Sequence, residues 1–123
     1  MTRREKAIAL LRQQAAAKQA LQSLPVLLRQ QEPVQRRQTR KEYRHIRDRV
    51  ALVEQALSIL NPEERLLLYR FFIQPTGHIL DQLRMELGVE QSTLYRRRDK
   101  ALHKFAAAVF GPSRRRSLFE NTP

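Results

Sequence analysis

The sequence predicts an all-α protein: a helical bundle whose C-terminal part is two helices joined by a tight turn, preceded by an extended N-terminal helix. Three observations predict it. Ala, Leu, Gln, Arg and Glu dominate, and only three glycines occur in 123 residues. Apolar residues recur at helical spacing, with no run of strict alternation and no internal repeat. Cap residues, prolines and glycines fall where those apolar patterns begin and end.

Residues 3–24 read as the N-terminal helix. Ile8, Leu11, Ala15, Leu21 and Leu24 lie roughly along one side, and Pro25 is expected to end it. Residues 25–38, with two prolines and several glutamines, read as a linker, of which 26–31 can still be helical. The first unit is therefore 1–38, a basic helix and linker. Thr39 and Glu42 then match a capping box, the hydroxyl meeting a free backbone N–H and the Glu reaching back. The helix expected there carries Tyr43, Ile46, Val50, Val53, Leu57 and Leu60 at spacings of 3, 4, 3, 4 and 3. Such a stripe packs on the domain's own core or forms a short coiled-coil seam.

Asn61-Pro62-Glu63-Glu64 starts the next helix: a cap, a proline where no hydrogen bond is lost, and two acids at the positive helix end. It is expected to run to about residue 74. The density of Leu66, Leu67, Tyr69, Phe71 and Ile73 predicts that it is largely buried. A turn follows at 75–78, then helices over 79–87 and 91–110, the second stopped by Gly111-Pro112. The second unit is thus 39–111. Residues 112–123, with Arg114, Arg115 and Arg116, read as a disordered basic tail.

The pair at 79–110 carries most of the functional information. Ile79, Leu83 and Leu87 fall at i, i+4 and i+8, one buried stripe. Gly88 sits where the chain must reverse, a place that often needs positive φ, and Val89 is expected to pin the turn to the core. On the second helix Leu94, Ala101, Leu102, Phe105 and Val109 form the inner face. The opposite face presents Gln91, Ser92, Tyr95, Arg96 and Asp99, flanked by Thr93, Arg97 and Lys100; Arg98 completes the basic run. This pattern is a helix-turn-helix with a basic leading edge. Its candidate DNA-binding residues are Gln91, Ser92, Thr93, Tyr95, Arg96, Arg97 and Lys100. Arg grips guanine O6 and N7 as a fork, and Gln grips adenine N6 and N7 likewise. Ser92, Thr93 and Lys100 suit phosphate oxygens, and Tyr95 suits a thymine methyl or a phosphate.

Charge points the same way. Lys and Arg number 24 against 12 acids, for a net charge of +12. Residues 1–24 carry +4, 25–49 carry +5, 50–90 carry −3 and 91–123 carry +6. A mildly acidic centre with basic flanks is expected of a chain that meets a polyanion. There is no cysteine, which excludes disulfides and thiolate metal sites and fits a reducing cytoplasm. The apolar run at 7–11 is interrupted by Arg12, too short for a signal peptide or a membrane span, so a cytoplasmic chain with no membrane contact is expected. His45, His78 and His103 are scattered without metal-ligand spacing. No phosphate-cradling glycine loop or nucleophile motif occurs, so neither cofactor, metal nor enzymatic activity is expected.

Residues 55–111 resemble the C-terminal promoter-reading domain of bacterial sigma factors. The resemblance rests on Leu60-Asn61-Pro62-Glu63-Glu64-Arg65, Leu87-Gly88-Val89 and Lys100-Ala101-Leu102. More specifically, Ser92-Thr93-Leu94-Tyr95-Arg96, then Lys100-Ala101-Leu102, Phe105-Ala106 and Phe110-Gly111, are similar to the ArpU family of phage-encoded late-gene regulators. In that family a helical region with a Tyr-bearing helix lies upstream, matching 43–60. Two positions depart from the pattern. Arg84 stands where a small residue normally lets the two helices approach, and Glu90 stands where Ser or Thr normally caps the second helix. Residues 1–60 do not accommodate the polymerase-binding domain of a complete sigma factor.

The resemblance implies a small transcriptional regulator of phage late genes for packaging or lysis, acting in the bacterial host's cytoplasm. Its expected partner is double-stranded DNA; contact with RNA polymerase and a homodimer are left open. Two alternatives compete with it: a DNA-packaging recognition subunit of the small-terminase kind, and an adaptor that touches RNA polymerase and barely contacts DNA.

Overall fold

The computed structural model describes residues 1–111; the tail expected at 112–123 lies outside the described residues. The described chain is all-helical: α1 (Arg3–Gln30), α2 (Pro33–Ser58), α3 (Pro62–Leu68), α4 (Ile79–Leu87) and α5 (Gln91–Phe110), with no strand among them. A π-helical turn, Tyr69–Ile73, continues α3 directly.

α1 opens on a capping box in which Thr2 Oγ1 accepts from the Glu5 backbone N–H at 3.1 Å and the Glu5 carboxylate accepts from that of Thr2 at 2.9 Å. It does not end at Pro25. The helix continues to Gln30, so proline removes one i→i−4 bond without stopping the element. The physical reason is tertiary. α1 and α2 pack as a helical hairpin, the most extensive helix pair in the fold, joined only by Gln31 and Glu32. Along α1 the half-buried Leu21, Leu24 and Leu28 carry the apolar stripe past the proline. The linker expected over 25–38 is therefore two helix ends and a two-residue turn.

The start of α2 also differs from expectation. Pro33 takes the first helical position, where its missing N–H is no loss, and Glu32 N–H donates to Gln35 Oε1 at 3.4 Å. Thr39 is no cap. It lies inside α2, 5 % exposed, and its hydroxyl donates to Gln31 Oε1 at 2.6 Å, tying the helix to the turn before it. Arg36 Nε donates to the Gln31 carbonyl at 2.8 Å and closes the same turn. A Thr-x-x-Glu pattern is a cap only when the chain before it is not already helical, and here it is.

Two clusters form the core. In the larger, Ala7 and Leu11 of α1 meet Val53, Ala56 and Leu57 of α2, Leu68, Phe72, and Ala101, Leu102, Phe105 and Ala106 of α5. Residues near both ends of the described chain thus share one packed body, with Leu60 closing it. Buried Gln14 is satisfied there, its Nε2 donating to the Val50 carbonyl at 3.4 Å. The smaller cluster joins Leu67, Leu83 and Leu94, flanked by Leu66, Phe71, Ile79, Leu87 and Val89. The stripe on α2 is buried at Val50, Val53 and Leu57 and half-buried at Tyr43 and Ile46.

After α3, burial is less dense than the sequence predicts. Tyr69 is exposed, and Leu68 and Phe72 take the deep positions instead. The π-helical turn, closed by Gln74 N–H donating to the Tyr69 carbonyl at 2.9 Å, widens the last turn and sets which aromatic side chains face inward.

Candidate nucleic-acid interface

α5 spans both clusters. Leu94 seats its first half on α3 and α4, while Leu102 and Phe105 seat its second half on α1 and α2. Every inner-face residue expected from the sequence is buried, apart from half-buried Val109. At about 100° per residue, Ser92, Arg96, Lys100 and His103 then form the outward ridge, and all four are exposed.

The approach to α5 is sharply turned. Gly88 has φ 66° and ψ 34°, in the left-handed region, and its N–H donates to the Arg84 carbonyl at 2.8 Å. No heavy atom lies within 4 Å of where a Cβ would stand, so the backbone angle alone selects glycine here. Val89 packs on the smaller cluster as expected. Arg84 is exposed while Leu83 takes the fully buried position beside it, so the long side chain does not separate the helices. Glu90 is extended and makes no side-chain cap. The first-turn N–H groups of α5 therefore receive no bond from it, at the end of the helix where partial positive charge collects.

Six of the seven candidate residues divide into three groups, and half-buried Thr93 supports the first. Ser92, Arg96 and Lys100 face outward, and neither cation meets an acidic group within 4 Å among the described residues. Arg96 Nη2 donates to Thr93 Oγ1 at 3.3 Å, which orients the guanidinium without neutralising it. Gln91 and Tyr95 form a second group, the amide Nε2 donating to the phenol oxygen at 3.2 Å. Gln91 is exposed, but Tyr95 is half-buried, its ring beneath the Arg98 guanidinium at 4.7 Å and 6.4 Å from Phe71. Arg98 reaches the Phe71 ring as well, at 5.2 Å. It is a packing cation, holding the side of α5 against the π-helical turn.

Arg97 forms the third group. Its Nη1 lies 3.1 and 3.3 Å from the two carboxylate oxygens of Glu63 at the start of α3. Both side chains remain about two-fifths exposed, 42 % and 41 %, so this is a surface pair contributing about 0–1 kcal/mol. Two turns along, Lys104 Nζ meets Glu64 Oε2 at 2.7 Å. Burial pushes the Glu64 carboxyl up, but the Lys104 ammonium, the Asn61 backbone N–H and the nearby Lys100 charge outweigh it and hold it below its ordinary 4.5. Glu63 and Glu64, read from sequence as acids at a helix start, thus also fasten α3 to α5.

One contributor was not legible in the sequence. Arg4 of α1 reaches Asp99 at 3.0 Å, across a separation of 95 residues, and brings another cation beside the outward ridge. Burial raises the Asp99 carboxyl; the hydrogen bonds and charges of Arg4 and Arg98 outweigh it and keep it below its ordinary 3.8. Beyond the interface, no three His, Cys, Asp or Glu side chains among the described residues could hold a metal ion. No described helix is long and apolar enough to cross a membrane.

Comparison of the chain with family models, with curated proteins and with solved structures gave no match in any of the three.

Proposed function

We propose that the chain is a sequence-specific DNA-binding transcription regulator in which α4, the Gly88 turn and α5 act as a helix-turn-helix. The observation that carries this reading is the outward pair Arg96 and Lys100, exposed and unneutralised, on a helix whose other side is fixed by two clusters. A B-DNA major groove admits a helix of this width, and a guanidinium held by Thr93 is disposed to read guanine as a fork. The uncapped start of α5 suits a phosphate, which would fix register without carrying sequence. Arg97 can join by exchanging Glu63 for a phosphate, since the pair it would leave is weak. Tyr95 has a supporting role, steadying Gln91. Regulation of phage late genes for packaging or lysis, by a cytoplasmic protein in the bacterial host, is proposed on the ArpU-like residues at 92–111 alone.

Gel-shift titration against promoter and packaging-site fragments, with light scattering to count subunits, tests this. Specific binding to promoter fragments by a monomer or dimer is expected. Arg96→Ala should lower specific affinity about tenfold or more, because one good base contact contributes roughly 1–3 kcal/mol. A folded Arg96→Ala protein with undiminished specific binding would refute the assignment. A many-membered ring selecting packaging-site DNA would refute the regulator in favour of a packaging subunit.

A further inference from the structure

We infer that the first half of α2 is a second DNA-binding surface, one that reads no sequence: Arg37, Arg40, Lys41 and Arg44 engage the sugar–phosphate backbone of double-stranded DNA. This rests on the proposed function, and names residues outside the helix pair that carries it.

Arg36, Arg40, Arg44 and Arg47 recur at i, i+4, i+8 and i+11, and Arg37 and Lys41 stand beside them. At 1.5 Å per residue the row extends over about 16 Å of one helix flank. Its ends have partners of their own: Arg36 bonds the Gln31 carbonyl at 2.8 Å, and Arg47 pairs with Asp48 at 3.3 Å. The four between them are exposed, and among the described residues no acidic group lies within ion-pair distance of any of them. Glu42, the one acid within the row's span, is about 100° or more round the helix from each of the four, where it accepts from Gln38 at 3.5 Å.

The arrangement works against the helix that carries it. Like charges at i, i+4, as in Arg36–Arg40, Arg40–Arg44 and Arg37–Lys41, each destabilise a helix by a few tenths of a kcal/mol. α2 has no acid in its first turn, only Glu32 at the cap, so Arg36 and Arg37 sit unfavourably near the positive helix end. Packing does not call for these residues, since the buried side of α2 is formed by Thr39, Val50, Val53, Ala56 and Leu57. A polyanion along the row offsets both penalties.

The residue types select which polyanion. Three Arg and one Lys suit a repeated phosphodiester, which accepts forks and point charges alike. No exposed apolar residue lies between 36 and 47, whereas a membrane-surface helix or a protein interface would carry an apolar or aromatic centre.

The test compares the intact chain with the variant R37Q/R40Q/K41Q/R44Q in fluorescence-anisotropy titrations on duplexes of different sequence. For four phosphate contacts the slope of log K against log salt should fall in magnitude by about 3–4. The affinity lost between 50 and 200 mM salt should then shrink by about a hundredfold, equally on every duplex. R37K/R40K/R44K should keep the full slope. The Gln variant should melt no lower than the parent, because repulsion has been removed. Single R40Q and R44Q variants should each lower the slope by about 0.9, independently of how the fourfold variant folds. An unchanged slope in these variants, alongside lost specific binding in R96A, would overturn this surface and leave the proposed function standing. An intact chain without salt-dependent affinity for any duplex would overturn both.

Discussion

If α5 binds DNA as proposed, Glu63→Gln should tighten that binding while slightly weakening the fold. The carboxylate holds Arg97 by contacts of 3.1 and 3.3 Å, and each side chain is about two-fifths exposed. An ion pair so open to water contributes about 0–1 kcal/mol. Glu63 also lies in the first turn of α3, where an acid adds about 0.3–1 kcal/mol against the helix dipole. The variant should therefore lose about 1 kcal/mol of stability, a fall of several degrees in Tm for a domain of this size. Binding should move the other way. If Arg97 must leave Glu63 to reach a phosphate, up to about 1 kcal/mol is recovered, equal to about a fivefold lower Kd. Anisotropy titration of the wild type, E63Q, R97A and the double variant measures it, because the gain should vanish in the R97A background. Weaker binding by E63Q, or a gain that persists without Arg97, would refute a role for this arginine at the DNA.

Three further outcomes are expected. Gly88→Ala should lower stability by about 1 kcal/mol through left-handed strain alone, since the space around the position is open; an unchanged thermal midpoint would contradict that. Glu64 and Asp99 both lie below their ordinary values, so the stability they contribute is present above those values and lost as pH falls through the lower folded ones. Urea midpoints should accordingly drop on acidification below about pH 4–5, and less steeply in Glu64→Gln. Pro25→Ala should stabilise α1 by up to about 3 kcal/mol by restoring an i→i−4 bond to the Leu21 carbonyl, seen as slower amide exchange around that turn.

How much of this was legible depends on how far apart the partners lie. Asn61-Pro62, Gly88 and Gly111 punctuate the chain where the sequence predicts, because caps and left-handed turns are decided within a few residues. The inner face of α5 was legible for the same reason, as helical spacing is local. Pro25 and Thr39 misled because their local signals are outweighed by the packing of α1 on α2. The pairings of Arg97 with Glu63 and Arg4 with Asp99 connect residues 34 and 95 positions apart, and no spacing rule reaches that far. The first of these contacts sets Arg97 apart from the outward Arg96 within one run of three.

The larger cluster also has a bearing on how the molecule is made. Ala7 and Leu11 are translated almost a hundred residues before Phe105 and Ala106, which complete their surroundings. Until then the nascent α1–α2 hairpin carries an oily flank that Leu68 and Phe72 cover in part and α5 completes. α5 is thus also the keystone, so no stable fold without it should accumulate during synthesis.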